Sequence, residues 1–255
     1  MSRIFTILIL VGLCASQSSA EFRIWEDRDG TQFEAEFVRD LFDKVTLRTR
    51  DGKEIRVGAD EFSDLDQKFL RVMVPPSIDV DTKLRRKKKV KTVELVPRIH
   101  DTFLVTETVT VEKKSNRQFT SRLRLEIFLI AQEREKSGNY ILLGYDQISF
   151  LMNQGDNDLF VFTTATVEED QFFLNAAQQR KGEEYVGYIL QITDMQGNRV
   201  DTEISIVGKW PKNPELIPNL RELWTRGAAS KRSRHFDRNT GLKVKVPRLP
   251  YFRLS

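Results

Sequence analysis

Short runs in which apolar and polar side chains alternate, separated by Gly, Asn and Asp, constrain the fold of this chain more than any other feature. Two such runs, 33–37 and 44–49, lie beside Asp-Gly pairs at 29–30 and 51–52. A period of two is typical of strands with one face on a core and the other in water. An Asp-Gly pair favours a type I′ hairpin turn, because both central residues of that turn need positive φ. The sequence therefore predicts a small β unit with tight turns.

A short helix is predicted to close this unit, which we place at residues 21–71. Ser63 is a suitable N-cap, and Asp66 follows it by three residues. Apolar residues then recur at helical spacing: Phe62, Leu65, Phe69 and Leu70. We expect Trp25, at an apolar position of the first strand, to lie in the core.

Strand patterns dominate again after residue 90. The runs are rich in Val, Ile, Phe and Thr and are separated by clusters of Gly, Asn, Asp and Ser. The predicted strands are 93–96, 102–112, 122–131, 140–150, 159–166, 186–193 and 199–207. About seven short strands at this spacing are typical of an antiparallel β-sandwich. We place this domain, with the helix that follows the last strand, at residues 91–227.

The C-terminal helix is predicted from apolar residues at helical spacing. These residues are Leu216, Ile217, Leu220, Leu223 and Trp224. Pro214 would lie in the first turn, where proline is tolerated, and Gly227 is a favoured helix end. The remaining residues, 228–255, are basic and are predicted to form an extended tail.

A linker between the two domains is predicted at residues 72–90. It contains Pro75 and Pro76, which interrupt regular structure, and the basic run 83–89, in which like charges repel into solvent. The alternative is that the basic run contacts an acidic partner, such as a phosphate-bearing polymer of the cell envelope.

The first 20 residues have the order of a secretory signal peptide. Arg3 precedes an apolar run, and Ser18, Ser19 and Ala20 supply the small residues before a cleavage site. The apolar run is too short to cross a bilayer as a helix, so we expect cleavage after Ala20 and no transmembrane span in the mature chain. Cys14 lacks the preceding small residue of a bacterial lipoprotein signal, so the predicted location is periplasmic or secreted.

The mature chain would contain no cysteine and therefore no disulfide, so its stability must come from hydrophobic cores. The whole chain has 41 Lys and Arg against 37 Asp and Glu, a net charge of +4. This near-balance is ordinary for a charged surface, and for an exported chain we predict no nucleic-acid partner.

No catalytic motif is present for a metalloprotease, a serine hydrolase, a phosphate loop or a dinucleotide loop. With only His100 and His235 and no mature cysteine, we predict no metal site, no cofactor and no enzymatic activity. Asp-x-Asp-Gly at 27–30 fails as a calcium loop, because Trp25 would occupy the first ligand position. The densest acidic run, Glu168 to Asp170, favours a solvated turn or a helix start.

The first domain resembles the first SLA homology domain over residues 22–71. The motif R-x-W…DG…AEF…V-x-L…DG…S-x-x-D carries the resemblance, from Arg23 through the two Asp-Gly pairs to Ser63 and Asp66. Similar domains occur in exported proteins of planctomycete- and verrucomicrobia-type bacteria. The resemblance implies an SH3-like barrel that binds Asn-Pro-Phe-x-Asp peptides.

Three basic residues are the candidate ligand contacts that this resemblance implies: Arg48, Arg50 and Lys53. The position that corresponds to the family's peptide-binding lysine is Thr49, which departs from the pattern, and Arg48 and Arg50 flank it. The alternative is that all three are ordinary exposed strand charges. The expected fold is mainly β, a small SH3-like barrel followed by an antiparallel β-sandwich with a C-terminal helix.

These observations predict an exported, non-enzymatic envelope protein that binds a protein or peptide, and they leave open whether that ligand is acidic. The alternative is a glycan-binding or carbohydrate-active sandwich that stacks exposed tyrosines on sugar rings. The candidate tyrosines are Tyr140, Tyr145, Tyr185 and Tyr188. A third hypothesis, a hydrolase with dispersed acidic residues, needs two carboxylates placed together in a cleft.

Overall fold

The structure is a computed structural model, and parts of both termini and several short segments lie outside its described residues. The described residues are 22–41, 44–89, 100–134, 139–152, 158–174, 179–206, 210, 213, 215–227 and 231–245. The predicted signal peptide, the predicted strand 93–96 and the last ten residues of the predicted tail therefore lie outside the described part of the chain.

The first unit is a four-stranded antiparallel sheet in sequence order, followed by a helix. Its strands are β1 (Arg23–Glu26), β2 (Gln32–Leu41), β3 (Lys44–Thr49) and β4 (Glu54–Gly58). A 3-10 turn at Ala59–Glu61 leads into α1 (Asp64–Met73), which Ser63 caps as predicted by accepting a hydrogen bond from the Asp66 amide.

This unit is mainly β as predicted, but its sheet is open and the expected SH3-like barrel does not close. The four-residue β1 and the five-residue β4 stand at opposite ends of the sheet, and in the described chain no ladder joins them. Helix α1 covers the inner face and supplies Leu70 to a core that also contains Phe62 and the fully buried Trp25. The indole of Trp25 donates a hydrogen bond to the Ala35 carbonyl at 3.0 Å, so its predicted place in the core is confirmed.

The two predicted hairpins are present, but each hairpin loop has three residues, one more than the two-residue loop of a type I′ turn. In the second hairpin, the Gly52 amide donates to the Thr49 carbonyl at 2.9 Å and the Thr49 amide donates to the Lys53 carbonyl at 3.0 Å. Gly52 has φ of 83°, and Asp51 is not among the residues with positive φ. A type I turn followed by a left-handed glycine avoids the steric cost of positive φ at aspartate.

The described part of the second unit contains nine strands, all in antiparallel pairs. They are β5 (Ile78–Lys89), β6 (His100–Lys113), β7 (Leu123–Glu133), β8 (Asn139–Phe150), β9 (Leu159–Thr163), β10 (Val167–Leu174), β11 (Gln179–Asp194), β12 (Arg199–Ile206) and β13 (His235–Asp237). One sheet places β6 between β5 on one side and β9 and β10 on the other, and the second has the order β13-β8-β7-β11-β12.

Strand β11 joins the two sheets into a sandwich. Its first residues, 179–182, pair with β10, and its later residues pair with β7 on one side and β12 on the other. Apolar side chains from both sheets fill the space between them, including Val109, Leu125 and Leu190. The predicted sandwich-like β fold is therefore confirmed.

Helix α2 (Leu216–Gly227) packs on the outer face of the β7–β8–β11 sheet. It starts later than predicted, and Pro218 lies in its first turn. A proline deeper in the helix would lack an amide donor and would clash with the preceding turn. In the described chain, no helix is long and apolar enough to cross a bilayer.

The predicted linker 72–90 is wrong for residues 78–89, which form the twelve-residue edge strand β5. Alternate residues from Ile78 onward face the core, and acidic side chains offset the basic run. Lys88 pairs with Asp101 at 2.7 Å, and Arg86 makes two hydrogen bonds, of 2.7 and 2.9 Å, to the fully buried Glu169. The acidic run at 168–170 is therefore part of β10, and the solvated turn expected there is also wrong.

The predicted extended tail is ordered at residues 231–245. Lys231 donates to Glu183 at 2.9 Å and to Asp170 at 3.1 Å, and the following residues add β13 to the sheet beside β8. Phe236 is buried under α2.

The two units are joined by buried contacts. The loop between β6 and β7 places Arg117 against Asp40 of the first unit at 2.6 Å, and both side chains are buried. Arg117 also donates to the carbonyls of Leu70 and Val74 near the end of α1. The last carbonyls of a helix lack partners within the helix, so the second unit completes the first.

We predict that Arg117→Ala destabilises the protein by about 3–5 kcal/mol, because it leaves the Asp40 carboxylate buried without its partner. The control is Arg48→Ala, at an exposed pair with Glu36, which should change stability by less than about 1 kcal/mol. Urea-induced unfolding of both variants measures the difference. Equal losses would contradict a stabilising role for the buried pair.

Candidate functional site

A cleft opens between the two sheets at the side where both end in edge strands. Its volume is about 770 Å³, within the range of small-ligand sites. Strands β5 and β12 form its rims, and β6, β7 and β11 form its floor. The lining residues are Thr82, Leu84, Glu107, Gln132, Glu184, Tyr185, Val186, Gly187, Tyr188, Ile204, Ser205 and Ile206.

A β-bulge in β11 brings two tyrosines to this floor. Tyr185 pairs with Ala131 and Gly187 pairs with the next residue, Ile130, so Val186 is the extra residue. Strict alternation would place side chains three residues apart on opposite faces, and the bulge places both Tyr185 and Tyr188 toward the space between the sheets. Val186 instead packs with the α2 side of the sheet.

Gly187 makes this bulge sterically possible. Its φ is 138°, and a Cβ at this position would lie 1.7 Å from the Ser205 carbonyl oxygen of β12. Any side chain there would push β12 away from β11. The shape of the cleft therefore depends on glycine at this position.

Each of the two tyrosines donates a hydrogen bond to a glutamate. The Tyr185 hydroxyl lies 2.6 Å from Oε1 of Glu107, and the Tyr188 hydroxyl lies 2.6 Å from Oε1 of Glu203. The Thr82 hydroxyl of β5 lies 2.7 Å from the Tyr188 hydroxyl, so this tyrosine connects both rims.

Burial controls the electrostatics of the site. Glu107 is only 3% exposed, and its burial raises the pKa of its carboxyl, as does the charge of Glu203, while the hydrogen bond from Tyr185 opposes the shift. Burial and the hydrogen bond to Glu203 raise the pKa of Tyr188 to about 12. Burial and Glu107 likewise raise the pKa of Tyr185, so both tyrosines remain hydrogen-bond donors at neutral pH.

The second oxygen of each carboxylate is unsatisfied. Oε2 of Glu107 and Oε2 of Glu203 are buried, and neither has a hydrogen-bond partner among the described residues. A buried acceptor without a partner costs about 1–3 kcal/mol, and more when charged. Groups left in this state are candidates for ligand contact.

The arrangement can accept hydrogen bonds from a ligand and attract a positive charge. In the described part of the chain, no group of three or more His, Cys, Asp or Glu residues is arranged to hold a metal. The cleft lining offers the carboxylate of Glu107 and the phenol groups of Tyr185 and Tyr188, and Glu203 is hydrogen-bonded to Tyr188 beside them.

The predicted ligand residues of the first unit lie on its exposed face and do not contact the cleft. Arg48 pairs with Glu36 at 3.0 Å and with Glu54 at 3.3 Å. Arg50 makes two hydrogen bonds of 2.6 Å to Glu34, which lowers the pKa of that carboxyl. Lys53 is exposed in the turn after β3. A peptide carboxylate at Arg48 or Arg50 would compete with these glutamates, and the role of all three residues stays a prediction.

The four candidate tyrosines do not form an exposed row. Tyr140 and Tyr188 are buried, at 5% and 3% exposure, and Tyr140 contacts Phe236 beneath α2. Tyr145 is half-buried and donates to Glu126 at 2.6 Å. The row of sugar-stacking rings expected for a glycan-binding surface is therefore not present at these four positions.

The sequence contained one signal for this site that the strand assignment did not use. Glu107 occupies the buried phase of an alternating strand, between Val105 and Val109, where an apolar residue is expected. Glu203 carries no comparable signal. The three-residue spacing of Tyr185 and Tyr188 hides their common face, because the bulge that aligns them depends on pairing with β7.

Comparison with known proteins adds no family assignment. No protein-family model matches the chain, and no curated protein matches its sequence. The resemblance of residues 22–71 to the first SLA homology domain therefore stays a prediction.

We predict that Gly187→Ala destabilises the protein by about 3 kcal/mol or more, because the added Cβ forces β12 from β11. Gly197→Ala is the matched control: Gly197 also has positive φ, at 88°, but nothing lies within 4 Å of its added Cβ. Conformational strain alone should cost this variant about 1–2 kcal/mol. Urea unfolding compares the two, and equal losses would rule out the proposed close approach.

We predict that Glu107→Gln stabilises the protein at pH 7 by about 1 kcal/mol, because it removes a buried charge with one unsatisfied oxygen. A raised pKa means that the folded state binds the proton more tightly than the unfolded state, so the wild type loses stability as pH rises above the ordinary glutamate range. The advantage of the variant should therefore disappear below about pH 4.

Urea unfolding at a series of pH values tests this dependence. Glu184→Gln, at an exposed glutamate of strand β11, is the control and should change stability by less than about 0.5 kcal/mol at every pH. A Glu107→Gln variant that is less stable than the wild type at pH 7 would contradict the prediction.

Proposed function

We propose that this chain is an exported, non-enzymatic binding protein that holds an extended segment of a protein or peptide in the cleft between β5 and β12. The observation that carries the proposal is a buried carboxylate without a full set of partners, Glu107, at the floor of a cleft between two sheet edges. A buried polar group without a full set of partners requires an explanation, and contact with a ligand is one.

The edges favour an extended peptide. Strands β5 and β12 each end their sheet in the described chain, so the backbone groups along one side of each strand have no strand partner. An added peptide strand can pair with such an edge and direct alternate side chains into an adjoining cleft. We place the added strand beside β12, because Glu203 belongs to that strand and faces the cleft floor.

The hydrogen bonds of the two carboxylates favour recognition over catalysis. Each glutamate accepts a hydrogen bond from one tyrosine hydroxyl, and both tyrosines stay protonated at neutral pH. Peptide binding is also what the resemblance of the first unit implies, although its predicted arginines are paired within their own sheet.

A glycan-acting protein is the second candidate. The observation in its favour is that Glu107, whose pKa is raised by burial, shares the cleft with a second carboxylate, Glu203. An acid with a raised pKa beside a second carboxylate is the requirement for glycoside hydrolysis. The exposed tyrosine row that would support sugar binding is not present.

A binding screen tests the proposal. Protein of residues 21–255 is immobilised and screened in parallel against a displayed random-peptide library and a panel of soluble polysaccharides. Leu84→Trp fills the cleft from its rim, and Leu159→Trp is the matched control at an exposed leucine of β9, outside the cleft lining. We expect the wild type and Leu159→Trp to retain the same peptides and Leu84→Trp to lose them.

Other outcomes would overturn parts of the proposal. Retention of no peptide above the empty matrix would remove the peptide-binding function. The site would lie on the first unit if the Arg48→Gln, Arg50→Gln double variant no longer bound the peptides and Leu84→Trp still bound them. Cleavage of a polysaccharide would establish the second candidate.

A further inference from the structure

We propose that the cleft recognises an isolated basic side chain of the peptide, a lysine ammonium or an arginine guanidinium, which binds between Glu107 and Glu203. This inference rests on the proposed function and names the chemistry of its ligand. The two unsatisfied carboxylate oxygens are its starting point, since a cation with several N–H donors can satisfy both.

The charge of the lining supports a cation. Two glutamates, Glu107 and Glu184, line the cleft, and Glu203 accepts a hydrogen bond from Tyr188 of the cleft floor. The lining contains no Lys, Arg or His. Glu184 pairs with Arg134 at 2.7 Å, so its charge is already offset. Glu107 and Glu203 instead receive neutral hydroxyl donors, and in the described chain no basic side chain pairs with either. Their charges are the ones that a ligand must compensate.

The rim suits the aliphatic stem of a long basic side chain. Leu84 on β5 is 48% exposed and Ile204 on β12 is 37% exposed, and both line the cleft. Lysine and arginine pack their methylene groups along apolar surface while the charged end reaches a polar partner. The rings of Tyr185 and Tyr188 offer the same end a favourable π surface.

Access to the two oxygens needs only a small change. Both oxygens are covered in the unliganded cleft, so a bound cation requires the carboxylates to turn about their last torsion angle. That torsion joins sp³ and sp² atoms and has a broad energy minimum, so the rotation is easy. The tyrosine hydroxyls can follow because each rotates about its own C–O bond.

The outer face of β5 selects against a uniformly basic ligand. Lys83, Arg85 and Lys87 alternate along this exposed face, and no acidic side chain of the described residues pairs with them. Repulsion from this row disfavours peptides with many basic residues. We therefore expect one basic residue flanked by neutral or acidic ones.

The test uses the peptides retained in the library screen. The tightest-binding sequence is synthesised in two forms, with its basic residue kept and with norleucine in its place, and Kd is measured by fluorescence anisotropy. We expect norleucine to weaken binding to the wild type at least about 30-fold, because a charge-assisted contact with a desolvated partner is lost.

Variants assign the effect to the two glutamates. Glu107→Gln and Glu203→Gln should each weaken the basic peptide about tenfold or more and leave the norleucine peptide unchanged. Glu222→Gln, at an exposed glutamate of α2 outside the cleft lining, is the control and should change either Kd by less than about threefold. Unfolding midpoints of all variants show whether they are folded.

The outcomes separate this inference from the proposed function. Two results would overturn the basic-residue inference while peptide binding stands. One is that the retained peptides share no lysine or arginine. The other is that Glu107→Gln weakens the binding of both peptide forms equally. Retention of no peptide would overturn both.

Discussion

Strand β11 takes part in both sheets of the second unit, and the sandwich depends on how it passes from one to the other. It leaves β10 at Gly182, whose φ is 101° and where an added Cβ would lie 2.3 Å from the Asp170 carbonyl oxygen. Five residues later, Gly187 allows the bulge that turns Tyr185 inward. The same strand therefore closes the hydrophobic core at one end and builds the polar cleft at the other.

The sandwich divides into an apolar part and a part with buried carboxylates. Valine, leucine and isoleucine side chains fill the first part, whereas Glu107, Glu169 and Glu183 lie buried in the second. Glu169 is satisfied by Arg86 and Gln171, and Lys231 lowers the pKa of Glu183 against the larger effect of burial, which raises it. Glu107 has neither kind of cationic partner. A group that lowers stability in this way is typical of sites retained for binding.

Sequence patterns predicted the parts of the fold that depend on residues close together in the sequence. The hairpins, the capped helix α1 and most sandwich strands follow from alternation, turn residues and helical spacing. The β5 assignment failed because a run of six basic residues and one leucine, 83–89, concealed an alternation that begins at Ile78. The opposing acidic residues come from other strands, β6 and β10. The candidate site was missed for the same reason: Glu107, Tyr185 and Glu203 meet only after three separate strands pair.

The contact of Arg117 with the end of α1 determines where the molecule can be divided. Only four residues separate α1 from β5, and Arg117, about forty residues further along the chain, binds the Val74 carbonyl among them. A fragment ending near residue 75 would contain every described strand of the first sheet and would lack the guanidinium that pairs with Asp40. The first unit thus depends on a side chain of the second unit for part of its buried hydrogen bonding, so its stability is a property of the whole chain.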